Sequence, residues 1–313
     1  MNATALQVNQ SGLSQVKLFL ALSRTPHGLL DLATPALAAL LWYGAMPPVG
    51  IVVLGLITAF AGYTAVYALN DLVDYRVDKR RIETGVYPDL PNDLDGVFVR
   101  HPLAYGFLSF KKGFLWAAGW AALAMCGAYL LNPACAVIFL TSCLMETVYC
   151  LLWRSGYLKV LISGAVKSSG AVAAVFAVDP SPSLPLLALL FLWLFCWEIG
   201  GQNIPNDWAD IEEDRLLQAA TIPLRFGPAV ARVFILVSLL IAVALNAVLM
   251  GLAPVGAKFI AIAASFGAGI YLLLIPAYRL YLTQGRAQAL ALFNSASYYP
   301  VTLFAVIIIT GLM

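Results

Sequence analysis

The chain is 313 residues long, 62% hydrophobic and only 11% charged, with mean hydropathy +0.87 and a formal net charge of +2. A soluble domain carries roughly 25% charged residues, so too little charge is present to coat a water-facing surface. The near-neutral balance also excludes a basic field for nucleic acid.

The polar N-terminal arm, Met1 to Lys17, lacks the short apolar core of a cleavable signal, so targeting is assigned to the first spanning helix. A membrane-spanning helix needs about 20 mostly apolar residues. Such runs recur at approximately 26–45, 49–71, 113–131, 134–153, 159–178, 183–204, 228–250, 256–278 and 289–311. The expected fold is therefore all-α: a polytopic membrane bundle of nine transmembrane helices in one domain, 1–313, with Asp-rich loops at about 72–112 and 205–227. All of the cysteines, Cys126, Cys135, Cys143, Cys150 and Cys196, lie in apolar runs without metal-ligand spacing and read as packing residues.

Lys and Arg are distributed asymmetrically between alternate loops. With the N-terminus in the cytoplasm, the cytoplasmic segments hold Lys17, Arg24, Arg76, Lys79, Arg80, Arg81, Arg100, Lys111, Lys112, Arg279 and Arg286, among others. The opposite loops are short and turn-like, as at Met46-Pro47-Pro48 and Asp179-Pro180-Ser181-Pro182, and carry only Lys258. The positive-inside rule then predicts a cytoplasmic N-terminus and an external C-terminus, with both long acidic loops on the cytoplasmic face.

The second and sixth helices, which lead into those loops, each end in one repeated pattern. Asn70-Asp71-Leu72-Val73-Asp74-Tyr75-Arg76-Val77-Asp78 and Asn206-Asp207-Trp208-Ala209-Asp210-Ile211-Glu212-Glu213-Asp214 both read N-D-x-x-D-x-x-x-D. On a helix this spacing places the three carboxylates on one face. Like charges one turn apart repel, and at the C-terminal end of a helix the dipole adds to the penalty. Carboxylate sets of this kind suit a hard divalent cation shared with substrate phosphates, Mg²⁺ first. A solvated acidic cap on two helix ends is the plainer alternative. Two such clusters facing each other would clamp a diphosphate, with an isoprenoid tail in the apolar bundle beneath.

At these residues the chain resembles the UbiA superfamily of intramembrane prenyltransferases. The second motif is followed by Thr221-Ile222-Pro223-Leu224-Arg225-Phe226-Gly227, similar to the family's Thr-Leu-Pro-x-Arg-x-Gly, and Tyr149, Arg154 and Gly164 match a pattern after helix 4. The resemblance implies nine helices around a central cavity, with Mg²⁺ held by Asp71, Asp74, Asp78, Asp207, Asp210 and Asp214. It implies reaction through Asp71, Asp74, Asp207 and Tyr149, and substrate contacts from Asn70, Arg81, Arg154, Lys159, Asn203, Asn206 and Arg225. The implied activity is transfer of a prenyl group from a polyprenyl diphosphate to a lipid-soluble acceptor, most often an aromatic quinone precursor. A non-aromatic or tetrapyrrole acceptor and a cation-coupled secondary transporter are the alternatives. Membrane lipid is the expected surrounding, without nucleic acid or an obligate protein partner.

The sequence also departs from the family. Glu83-Thr84-Gly85-Val86-Tyr87-Pro88 keeps the Thr and Pro of Arg-Thr-x-x-Arg-Pro but neither arginine, Trp153 replaces a Lys, and Gln218 replaces a Gly. An acidic insert around Asp89–Asp95 reads as a lid or a docking site. Ionisable groups inside spanning segments are functional by default or pair with one another. Lys167 is expected either to pair with Glu146 or Glu198 or to act catalytically, and Asp31 belongs to the same class. Arg24 and His27 read as interfacial anchors, and His27 and His101 offer no zinc pair.

Overall fold

The computed structural model describes residues 14–83, 94–95, 97–152, 156–254 and 256–311. Among them the secondary structure is helical throughout. An N-terminal helix α1 (Gln15–Leu22) leads into α2 (Thr25–Asp31) and α3 (Ala33–Tyr43); α4 (Val49–Glu83), α5 (Phe110–Leu131), α6 (Pro133–Leu151) and α7 (Lys159–Val178) follow. The second half contains α8 (Leu184–Trp197), a π-helical turn (Glu198–Asn203), α9 (Ile204–Ala209), α10 (Ile211–Leu216), α11 (Ile222–Phe226) and α12 (Pro228–Leu252). It closes with α13 (Lys258–Gly269), a second π-helical turn (Ile270–Leu274), α14 (Ile275–Thr283), α15 (Arg286–Ser297) and α16 (Tyr299–Gly311).

Among the described residues, eight helical stretches are long and apolar enough to cross a membrane, from Val49–Glu83 to Arg286–Gly311. Large apolar side chains point outward from them: Phe259 is 88% exposed and Leu184 73%. In water that surface would be costly; in lipid it is the solvated face. The first of the nine predicted spans is divided at Leu32 into α2 and α3, as the last is divided at Tyr298 into α15 and α16. Pro35 explains the first division. It has no N–H for the carbonyl four residues back, on Asp31, and its ring crowds that carbonyl. Thr34 Oγ1 donates to the Asp31 carbonyl instead, at 2.8 Å.

The same substitution of partners recurs at Pro300 and Pro276, in keeping with the demand that lipid makes on backbone carbonyls. Pro300 frees the Ala296 carbonyl, and Trp197 Nε1 donates to it at 3.1 Å. Pro276 frees the Leu272 carbonyl, and Ser295 Oγ donates to it. The two π-helical turns lie just ahead of Pro205 and Pro276, widening the helix where a regular turn would meet the proline ring.

Helix α4 packs along α5, α6 against α7, and α7 against both α3 and α8; α12 lies beside α8 and α13, and α16 closes onto α3 and α13. The main core joins Trp193, Trp197, Trp208, Leu239, Leu292 and Tyr299. A close backbone approach lies at Gly200 in the first π-helical turn: a Cβ there would lie 2.9 Å from the Ile235 backbone oxygen and 2.9 Å from Ser238 Cβ, both on α12. Overpacking of this kind costs about 1–3 kcal/mol, so Gly200→Ala should lower the melting temperature of the purified protein in detergent. An unchanged melting temperature would refute the close packing.

Candidate active site

Helix α4 does not end at the first motif. It runs 35 residues to Glu83, so Asp71, Asp74 and Asp78 stand on a continuous helix rather than in a loop, and Arg80 and Arg81 occupy its last turn, where cations complement the dipole. The second motif is less regular. Asp207 is in α9, the helix breaks at Asp210 (φ −94°, ψ 13°), and Asp214 lies in α10. Asp71, Asp78, Asp207, Asp210 and Asp214 are buried, while Asp74 is half-buried and turned toward Cys150.

The two motifs converge through cations. Arg81 lies 3.9 Å from Asp78 of the first motif, and 3.2 Å from Asp214 and 3.6 Å from Glu213 of the second. Lys159, at the start of α7, donates to Asp207 Oδ1 at 2.8 Å and lies 5.5 Å from the centre of the Tyr149 ring. The segment after the acidic insert contributes His101, 2.9 Å from Asp78 and 3.4 Å from Asp71, and Arg100, 3.5 Å from Asp210. His101 has a left-handed backbone, φ 54°, unusual for a residue with a Cβ and tolerated where surrounding contacts hold it.

Arg24 is no interfacial anchor. Its guanidinium donates to Asn70 Oδ1 at 3.0 Å and lies 3.4 Å from both Asp71 and Asp95. His27 Nδ1 is 2.6 Å from Asp95 Oδ1, so Arg24 and His27, both from the α1–α2 region, hold the end of the acidic insert at the site. Residues 84–93 of that insert lie outside the described residues, as does Arg154. Arg225 is not brought to the cluster: it is exposed on α11, and among the described residues it makes no ion pair.

Burial works against ionised carboxylates, and it shows at the second motif. Burial and the neighbouring Asp210 push Glu213 up to about 7, and burial and Asp207 do the same to Asp214. Glu213 is 1% exposed, and neither of its carboxylate oxygens has a hydrogen-bond partner. Burial also opposes charge on His101, but Asp78 and Asp71 outweigh it and hold the imidazole up at about 9. For Asp95 burial raises the pKa, and His27 and Arg24 overcome that and hold it well below the usual carboxylate range.

Under this cluster lies a cavity of about 410 Å³. Its upper wall contains Arg24, Asn70, Asp95, Tyr149, Asn203 and Asn206, and its lower walls are apolar, with Ile51, Leu56, Ile138, Ala174 and Val178. Asn203 Nδ2 donates to the Tyr149 hydroxyl at 3.3 Å, and Asn70 Nδ2 donates to Glu146 at 2.7 Å. The arrangement sets a charged ceiling over a hydrocarbon-lined space.

Residues 32–298 match the sequence model of the UbiA prenyltransferase family. The chain belongs to that family. Solved structures share the fold. A UbiA homologue from Aeropyrum pernix K1 superposes with TM-score 0.69 at 22% identity, covering 90% of this chain and 97% of its own. A UbiA homologue from Archaeoglobus fulgidus, bound to GPP and Mg²⁺, gives TM-score 0.66 at 20% identity over 93% of this chain and 99% of its own. A structure described for digeranylgeranylglyceryl phosphate synthase gives 0.67 at 17% identity, over 96% and 99%. No curated protein matches the chain.

Within this UbiA chain, sequence reasoning missed Asp95, Arg100, His101 and Glu213 and misread Arg24. His101 had a usable signal. It is one of only two histidines in the protein, and it follows the stretch from which both family arginines are missing.

Proposed function

We propose that this UbiA-family protein is a Mg²⁺-dependent prenyltransferase that moves a prenyl group from a polyprenyl diphosphate to a lipid-soluble aromatic acceptor of the quinone-precursor type. The observation that carries the reading is the meeting of both Asp motifs around Arg81, directly above the apolar cavity.

The residues present suit Mg²⁺. All six motif side chains offer carboxylate oxygen, Glu213 adds a buried carboxylate without a hydrogen-bond partner, and ligand atoms of Asp71, Asp78 and His101 fall within 4.8 Å of one another. When bound, the metal supplies the positive charge that stabilises diphosphate as it leaves the prenyl carbon. Asp71, Asp74 and Asp78 would hold it from α4, and Asp207, Asp210 and Asp214 from α9 and α10. Lys159 and Arg81, anchored by Asp207 and Asp214, present N–H donors to the phosphate oxygens. The Tyr149 ring offers its face to the allylic carbon as charge develops there, and the apolar walls take the tail and exclude water. The acceptor carbon then bonds to the prenyl carbon and loses a proton.

Chelating divalent ions should abolish diphosphate release from a labelled prenyl diphosphate by the purified protein in lipid, and Mg²⁺ should restore it. Product mass from a pool of lipid-soluble aromatics would name the acceptor. Full release in excess chelator would defeat the proposal.

The proposal includes a side of the membrane: N-terminus and motifs cytoplasmic, C-terminus opposite, from the loop charges. An impermeant thiol reagent outside sealed vesicles of known orientation should reach a cysteine placed at Ser181 and miss one at Lys111. The reverse pattern would invert the assignment.

A further inference from the structure

The cavity carries ionisable groups that the diphosphate site does not use. Among its lining residues the cations are Arg24 and Lys167, and both are already matched. Arg24 lies against Asp71 and Asp95, and Lys167 Nζ lies 2.7 Å from Asp31 Oδ2 and donates to the Tyr67 hydroxyl at 3.3 Å. Among the described residues, the lining carboxylates Glu146 and Glu198 accept hydrogen bonds from neutral donors only. Asn70 Nδ2 donates to Glu146 at 2.7 Å, and Ser163 Oγ donates to Glu198 Oε1 at 2.6 Å.

Glu198 Oε2 is left over. The residue is 7% exposed, lines the cavity, and its second oxygen has no partner. It opens the π-helical turn Glu198–Asn203, all six residues of which are buried. Such turns re-aim side chains and recur at functional sites. In the same turn and just after it, the amide oxygens of Asn203 and Asn206 are also unpartnered and buried. A buried acceptor without a donor is unfavourable until a ligand supplies one. A second carboxylate brought beside Glu198 would be a like charge in a water-poor site.

We infer that the acceptor pocket, on the prenyltransferase reading above, selects an uncharged hydroxyl-bearing ring that donates a hydrogen bond to Glu198, and rejects an aromatic acid. Glu198 is thus a specificity-determining residue. The pocket offers surplus acceptors and no uncommitted cation among its described lining residues.

The test uses the full chain in lipid nanodiscs with geranyl diphosphate and Mg²⁺, under anaerobic conditions. Equimolar 1,4-dihydroxybenzene and 4-hydroxybenzoate compete as acceptors; they differ only in the group opposite one hydroxyl. Wild-type protein should favour the dihydroxy ring by at least about tenfold, a modest discrimination for a site built around a hydrogen bond. Glu198→Gln keeps the shape, removes the charge and adds a donor, so it should shift the ratio toward the acid by a similar factor. A ratio within one preparation does not depend on how much of the variant folds. Wild-type preference for the acid, an unchanged ratio in Glu198→Gln, or no product from either ring while diphosphate release continues would overturn the acceptor assignment alone. Absence of Mg²⁺-dependent diphosphate release would remove the prenyltransferase reading and this inference with it.

Discussion

Asp71→Asn and Asp207→Asn are each expected to lower prenyl transfer by on the order of 10²–10³, the usual loss when one preorganised electrostatic contact to a leaving group is removed. Each change keeps side-chain shape and deletes one negative charge from a different motif. Asp71 faces Arg24 and His101, while Asp207 holds Lys159 at 2.8 Å, so the two lie on opposite walls of one charged cluster. If both walls act on a single diphosphate, breaking either disables the clamp, and the double variant should be little worse than a single one. Additive losses would mean two independent sites. Glu212→Gln is the matched control. Glu212 sits within the second motif but is 49% exposed and, among the described residues, pairs only with Arg215 at the surface, so its loss should be silent in activity and within about 0.5 kcal/mol in stability. Wild-type turnover in Asp71→Asn or Asp207→Asn, with folding intact, would reduce the motifs to helix caps.

The spans were legible because hydrocarbon leaves little choice. A run of about 20 apolar residues must be helical to satisfy its own backbone, and α7 begins and ends where its apolar run does, at 159 and 178. The convergence of the motifs was foreshadowed by their repetition, since paired carboxylates at one spacing on two helices need a common cation. Three features were not legible. Local hydropathy placed the end of the second span near residue 71, but α4 continues to Glu83 through Arg76, Lys79, Arg80 and Arg81, residues of good helix propensity that hydropathy reads only as polar. The break at Leu32 depends on Pro35 being rescued by Thr34, whereas other prolines were rescued by residues far away in sequence, Trp197 and Ser295. The roles of Arg24, Asp95 and His101 depend on contacts spanning tens of residues, such as Arg24 with Asp71 and Asp95, which periodicity cannot see.

Lys167 is the other case where a residue was legible and its partner was not. Its pairing with Asp31, instead of Glu146 or Glu198, leads to the second large expected effect. Asp31 is 3% exposed, and its carboxylate receives both Lys167 Nζ, at 2.7 Å, and the Tyr67 hydroxyl. Removing one partner of a buried pair leaves an uncompensated charge and costs about 3–5 kcal/mol, whereas replacing both with neutral groups is often close to neutral. Lys167→Met and Asp31→Asn should therefore each strongly lower the melting temperature in nanodiscs. The double variant Asp31→Asn/Lys167→Met should recover most of that loss, giving a large non-additive coupling. The direction follows from the medium: deep in a bundle surrounded by lipid there is little water to solvate whichever charge is left behind. Activity separates structure from chemistry in the same set. If the pair only holds α2 against α7, transfer should return with stability in the double variant. If Lys167 takes part in the reaction, stability will return and transfer will not. Single variants that melt with the wild type, or a double variant whose loss equals the sum of the two, would show that Asp31 and Lys167 are not coupled in the folded protein.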